Sequence, residues 1–151
     1  MVSSNSVKSI AAVFLVLLMG AATPAFSHEE LVLIVSTRSE VDNLDPDAVR
    51  RLFVGLTVTR NRARLRPVLN ESDPQIKALF LQNIVSMSES TYDRYILRLA
   101  LLQGRIEPMI YRSDADVINA VASDPTVVGY VWARDAAQDS RVKILRIMWH
   151  D

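Results

Sequence analysis

The sequence predicts an α/β fold with a mixed sheet, and three observations carry that reading. Residues 31–36 read Leu-Val-Leu-Ile-Val-Ser, an unbroken apolar run of the kind found in strands buried on both faces. Asp45-Pro46 and Gly55 then bracket a stretch with helical spacing, as N-cap, first helical residue and stop. Residues 127–132 return to a strand pattern directly after a capped helix ended by Asp124-Pro125. Strands separated by capped helices call for a sheet covered by helices.

The elements follow in order. The first helix turns Leu44, Val49, Leu52 and Phe53 inward. Residues 56–59 and 65–70 read as two strands, with Thr-Arg-Asn-Arg making the bend between them. Ser72 is placed as the cap of a second helix, with Gln75 as its capping-box partner and Ile76, Leu79, Phe80 and Ile84 as its apolar stripe. Ser88 caps a third helix closed by Gly104. Ser113, with Asp116 three residues on, caps a fourth. A last strand covers residues 142–149. No repeat, low-complexity tract or linker divides the chain.

Residues 1–27 read as a secretory signal rather than as structure. Lys8 supplies the positive start, residues 10–22 are apolar, and Ala25-Phe26-Ser27 offers small residues before a cleavage point at His28. The apolar run falls short of the roughly 20 residues that span a bilayer, so a retained anchor is the alternative reading and not the first. With no cysteine in the chain, a lipoprotein and any disulfide are excluded. Residues 28–151 form one domain that must be held by its apolar core. The chain carries 17 basic and 17 acidic side chains, and Lys8 alone leaves with the signal. No global field points to nucleic acid or to an anionic membrane.

Few residues suggest chemistry. Asn70-Glu71-Ser72-Asp73 joins a strand to a helix start, where unpaired backbone N–H groups and the helix dipole suit an anion. The plainer reading is that Ser72 only caps the helix, and Glu71 and Asp73 would repel phosphate. Arg60, Arg62, Arg64 and Arg66 alternate, so an extended stretch would place four guanidinium groups on one face for an anion or an acidic partner. The plainer reading there is a solvated hairpin edge protected by charge. His28 and His150 would make a copper site only if the first and last strands brought the termini together. Tyr92, Tyr95, Tyr111, Tyr130, Trp132 and Trp149 read as core. Asp114 and Asp116 fall in a helix first turn, where carboxylates complement the dipole. There is no Gly-rich phosphate loop and no nucleophile with a base in usable context, so nothing argues for an enzyme or a cofactor.

In chain order, residues 44–47 (Leu-Asp-Pro-Asp), 52–55 (Leu-Phe-Val-Gly), 66–68 (Arg-Pro-Val), Phe80, residues 84–88 (Ile-Val-Ser-Met-Ser) and 125–131 (Pro-Thr-Val-Val-Gly-Tyr-Val) form a further pattern. It resembles the substrate-binding proteins of phosphate ABC transporters, in the type 2 periplasmic-binding-protein-like group, and most of all its short single-lobe members. The resemblance covers about residues 31–132. It implies a three-layer αβα single lobe, a periplasmic location and descent from an oxyanion binder. In full-length members a Ser-Gly-Thr turn at a helix N-terminus grips phosphate. Glu71-Ser72-Asp73 holds that place here, so only Ser72 carries over. Arg60 and Asn61 stand where the family's hairpin carries Trp, and the chain has length for one of the usual two lobes.

The expected function is therefore a periplasmic binding-protein-like domain related to phosphate-transporter components. It would bind phosphate or another oxyanion weakly through Ser72, Asp73 and the following amides, helped by Arg38 or Arg66. The alternatives are an envelope or transporter protein-docking module using the arginine face and, remotely, copper at His28 and His150. No nucleic acid and no membrane insertion after signal removal are expected.

Overall fold

The computed structural model describes residues 29–151 apart from Ile106, so residues 1–27, read above as a signal, and His28 lie outside the described residues. Seven strands and five helices follow one another. They are β1 (Glu30–Ser36), α1 (Pro46–Phe53), β2 (Thr59–Arg60), β3 (Ala63–Arg64), β4 (Arg66–Asn70), α2 (Pro74–Leu79), α3 (Glu89–Gln103), β5 (Met109–Tyr111), α4 (Asp114–Ser123), β6 (Val127–Trp132), α5 (Ala133–Ala136) and β7 (Val142–His150). Five strands form one sheet in the order β5-β4-β6-β1-β7, while β2 and β3 form a separate hairpin. β4 runs parallel to β5 and β6, whereas β1 is antiparallel to both β6 and β7. The sheet is mixed, as expected.

Helices cover both faces, giving three layers. On one face Leu31, Leu33, Val35, Val128, Tyr130 and Trp132 pack with α1, α2 and Tyr92 of α3. On the other, Val32, Ile34, Val68, Val127 and Val131 pack under Val117, Ile118 and Val121 of α4 and Ala136 of α5. The unbroken apolar composition of β1 and β6 follows from this, because both strands are buried on both sides. The first face is knitted by aromatic rings. Phe80 stacks on Tyr130 at 5.0 Å, and Phe53 meets both edge-on.

Helix ends mostly obey the sequence. The Asp45 carboxylate accepts the Ala48 N–H with Pro46 in the first turn, and Gly55 closes α1 at φ 87°. Ser88 and Ser113 cap α3 and α4. The second helix departs from expectation: Asp73, not Ser72, is its N-cap, accepting the Ile76 N–H, and Pro74 is its first residue. This helix then widens into a π-helical turn over Phe80–Val85, which places Phe80, Ile84 and Val85 in the core.

The arginine alternation does not survive as one face. Asn61 and Arg62 both have positive φ (47° and 66°), a two-residue turn that reverses the chain between β2 and β3. Arg60 pairs with Asp45 and Arg66 with Asp124, on separate parts of the surface. The strand expected at residues 56–59 is reduced to Thr59–Arg60. β5 and α5 had no clear sequence signal. No helix among the described residues is long and apolar enough to cross a membrane.

Candidate functional site

The topology selects an edge before any residue is considered. β4, β5 and β6 are parallel, and β4 lies between the other two. The chain leaves β4 for β5 on one side and returns from β5 over to β6 on the other. The crevice position of an open α/β sheet, where ligands usually bind, therefore falls outside the C-terminal ends of β4 and β6. Asn70, Ser72, Asp73, Asp114 and Trp132 meet there.

Asn70 organises the crevice. Fully buried at the end of β4, its side chain donates to Asp114 Oδ1 at 2.6 Å and to the Tyr130 carbonyl at 2.9 Å, and accepts the Ser72 N–H at 2.8 Å. Its backbone N–H donates to the Tyr130 hydroxyl at 3.1 Å. Burial holds that phenol well above its ordinary pKa, so it stays neutral. The Ser72 hydroxyl donates to Asp114 Oδ1 at 3.2 Å. Asp73 accepts the Ile76 N–H with one oxygen and the Trp132 indole N–H, at 3.1 Å, with the other.

Charge around Ser72 is mixed. Glu71 is paired with Lys77, which also pairs with Glu89. Across the crevice, Arg134 stands 5.6 Å over the Trp132 ring and donates to Glu29 at 2.7 Å. Burial, and then the nearby Asp114 charge, raise the Asp135 carboxyl above its usual range. The hydroxyl that a ligand would use, and the amide beside it, are thus already spent on the protein's own groups. The cations that border it are Lys77, held by Glu71 and Glu89, and Arg134, held by Glu29.

The other expected residues lie elsewhere. Arg66 begins β4, at the opposite end of the strand from Ser72, and is bound to Asp124. Arg38 follows β1 and donates to the Ala122 and Ser123 carbonyls, closing the C-terminus of α4. The structure brings Ser72 and Asp73 together at one end, and Arg38 and Arg66 towards the other. A cavity of about 1170 Å³ opens at that second end, between α3, α4 and the starts of β4 and β5. His150 faces Glu30 where β7 pairs with β1, while His28 is outside the described residues. Among the described residues, no group of three or more His, Asp or Glu could hold a metal ion.

No protein-family model and no curated protein sequence matches the chain. Solved structures do. An ABC-type phosphate transport receptor of Vibrio cholerae superposes with a TM-score of 0.57 at 15% identity, over 79% of this chain and 46% of its own. A protein of Clostridium perfringens, assigned as a phosphate ABC transporter substrate-binding protein and solved with bound phosphate, gives 0.60 at 16%, over 79% and 45%. PstS of Borrelia burgdorferi gives 0.56 at 13%, over 78% and 47%. The chain has the periplasmic-binding-protein-like fold. It spans less than half the length of these receptors, so it corresponds to a single periplasmic-binding-protein-like lobe.

Asp114, Arg134 and the Trp132 indole belong to this lobe's crevice but were not assigned to it from the sequence. The available signal was their position at the C-terminal end of a parallel strand, where ligand-facing groups gather.

Proposed function

We propose that this chain is an exported binding-protein-like lobe, related to the phosphate-binding components of ABC transporters, that takes an oxyanion weakly at the Ser72 crevice. The observation that supports this is the position of Ser72 beside the first turn of α2, at the crevice between β4 and β6. Weakness follows from charge, because Asp73 and Asp114 place carboxylates where phosphate would sit. Arg134 supplies the compensating cation. The role is binding, not catalysis.

Titration calorimetry of phosphate into residues 28–151 at low ionic strength, with sulfate as control, tests this. Saturable heat in the millimolar range is expected, lost in Ser72→Ala. Asp114→Asn should tighten binding about tenfold, because it removes a repelling charge and releases the Ser72 hydroxyl. No heat in the parent and in Asp114→Asn would sink the proposal.

A second reading is favoured by the same network: with its donors satisfied internally, the lobe docks on an envelope or transporter protein without a small ligand. Arg62 and Arg64 of the hairpin, which form no ion pair among the described residues, would be its contacts. Salt-sensitive capture of such a partner, lost when both are replaced by Ala, would favour that reading.

A further inference from the structure

α3 belongs to the outer layer, and its inward side is settled by Tyr92 and Leu99, which are buried, and by Tyr95 and Ile96, which pack on the core. Its outward side is unusual. Arg94, Leu97, Arg98 and Leu101 stand at i, i+3, i+4 and i+7, so they form one stripe along the helix. Leu97 is 51% exposed, Leu101 75% and the neighbouring Leu102 71%. Water covers three leucines where a globular surface would carry polar residues.

The sheet edge on that side is apolar as well. β5 is the edge strand of the sheet, and its Met109 and Ile110 are exposed as well. Ile110 pairs with Leu69, whose side chain joins the core beneath α1 and α3, so Ile110 lies on the same side of the sheet as α3.

Charge indicates what covers this surface. Between Arg94 and Arg105 there are three arginines and no acidic residue, and Arg112 follows β5. Asp93 and Glu107 are the acidic groups bordering the stretch. None of the four arginines is in an ion pair among the described residues. Arg94 donates only to the Ser90 carbonyl of its own helix, while Arg105 donates to the Gln103 side-chain oxygen and the Gly55 carbonyl, neither of them charged. Exposed leucines interleaved with unneutralised guanidinium groups on a convex helix are the pattern of a helix lying in a membrane interface. The leucines enter the acyl boundary while the arginine stems lie along it and their heads reach lipid phosphate.

We propose that the α3–β5 face docks the lobe on an anionic phospholipid surface. The attachment is peripheral, with the fold intact and the Ser72 crevice outside the contact. It is independent of whether that crevice binds an anion.

Co-sedimentation of residues 28–151, which contain the whole sheet and both cores, with phosphatidylglycerol–phosphatidylcholine vesicles tests this, against vesicles of phosphatidylcholine alone. Binding is expected only with phosphatidylglycerol and should weaken as salt rises. Arg94→Glu/Arg98→Glu should reduce it about tenfold or more. Leu97→Asp/Leu101→Asp should abolish it while the circular dichroism spectrum stays that of the parent, because both side chains project into solvent. Equal binding to both vesicle types, or binding unchanged in both double variants, overturns the proposal. So does an absence of vesicle binding, including the case in which the same face captures an acidic protein instead.

Discussion

Asp73 joins two elements with one carboxylate. One oxygen holds the Ile76 N–H in the first turn of α2 and the other holds the indole of Trp132 at the end of β6. Ser72, one position earlier, gives its hydroxyl to Asp114 and takes no part in capping. The two residues should therefore respond differently to truncation. Asp73→Ala should cost about 1–2 kcal/mol in urea denaturation, through the lost cap and an indole left without its acceptor. Ser72→Ala should stay within about 0.5 kcal/mol. Comparable losses at both positions would contradict this division of roles. The cap was legible in the sequence. Proline favours the first helical position, so Asp73-Pro74 repeats the Asp45-Pro46 signature that marks α1. Reading Ser72 as the cap put the more common capping hydroxyl ahead of the proline that fixes the register. The links from Asn70 to Asp114 and Tyr130 were not legible, because they join residues brought together only by strand order.

At the scale of elements, α4 lies unusually close to the sheet, and Gly129 in β6 is why. A β-carbon built there would stand 2.9 Å from Val117 and 3.0 Å from Val121 on the helix, and 3.1 Å from Val68 on the next strand. These three are branched side chains in a packed core with little room to yield. Gly129→Ala should destabilise by about 1–3 kcal/mol through overpacking, seen as a lower thermal midpoint. A neutral result would mean that α4 can lift from the sheet. The major elements were legible because they bury themselves on a regular period: β1 and β6 on both faces, α1 on one. β5 was not, since three residues on a sheet edge, two of them exposed, leave no period to read. The arginines misled for a related reason. Alternation implies a common face only if the chain is extended, and the positive φ of Asn61 and Arg62 is a turn that Asn-Arg announces far less clearly than Asn-Gly would.

For the whole molecule, acid should unfold the lobe through a small set of carboxylates. Hydrogen bonds from Arg141 hold Asp139 down to about 2 from its ordinary 3.8. Bonds from Thr126, and then Arg66, lower Asp124, while the Ala48 N–H lowers Asp45. Each has a folded pKa below its unfolded one. Its contribution is thus present above about pH 4 and is lost as pH falls towards 2. Asp135, raised by burial, acts in the opposite sense and is relieved by protonation. The thermal midpoint by circular dichroism should be nearly flat from pH 7 to about 5 and drop below about 4, with a shallower drop in Asp139→Asn. A midpoint that rises below pH 4 would show that relief of Asp135 dominates. The α/β class was legible from element order and the three-layer lobe from the family resemblance, but the state of its crevice was not. Which donors are already spent depends on contacts between distant strands.

The position of β1 constrains how this molecule comes into being. It is the first strand described, yet it lies inside the sheet between β6 and β7, the two described strands furthest from it along the chain. Glu30 meets His150, and Val35 meets both Val128 and Lys143. Until those partners form, a strand with five consecutive apolar residues has nothing to pair with, and the loop that must close is nearly the whole described span. Closure of the sheet around β1 therefore waits on the two strands most distant from it in sequence, and a chain in which β6 and β7 have not formed leaves β1 without a partner.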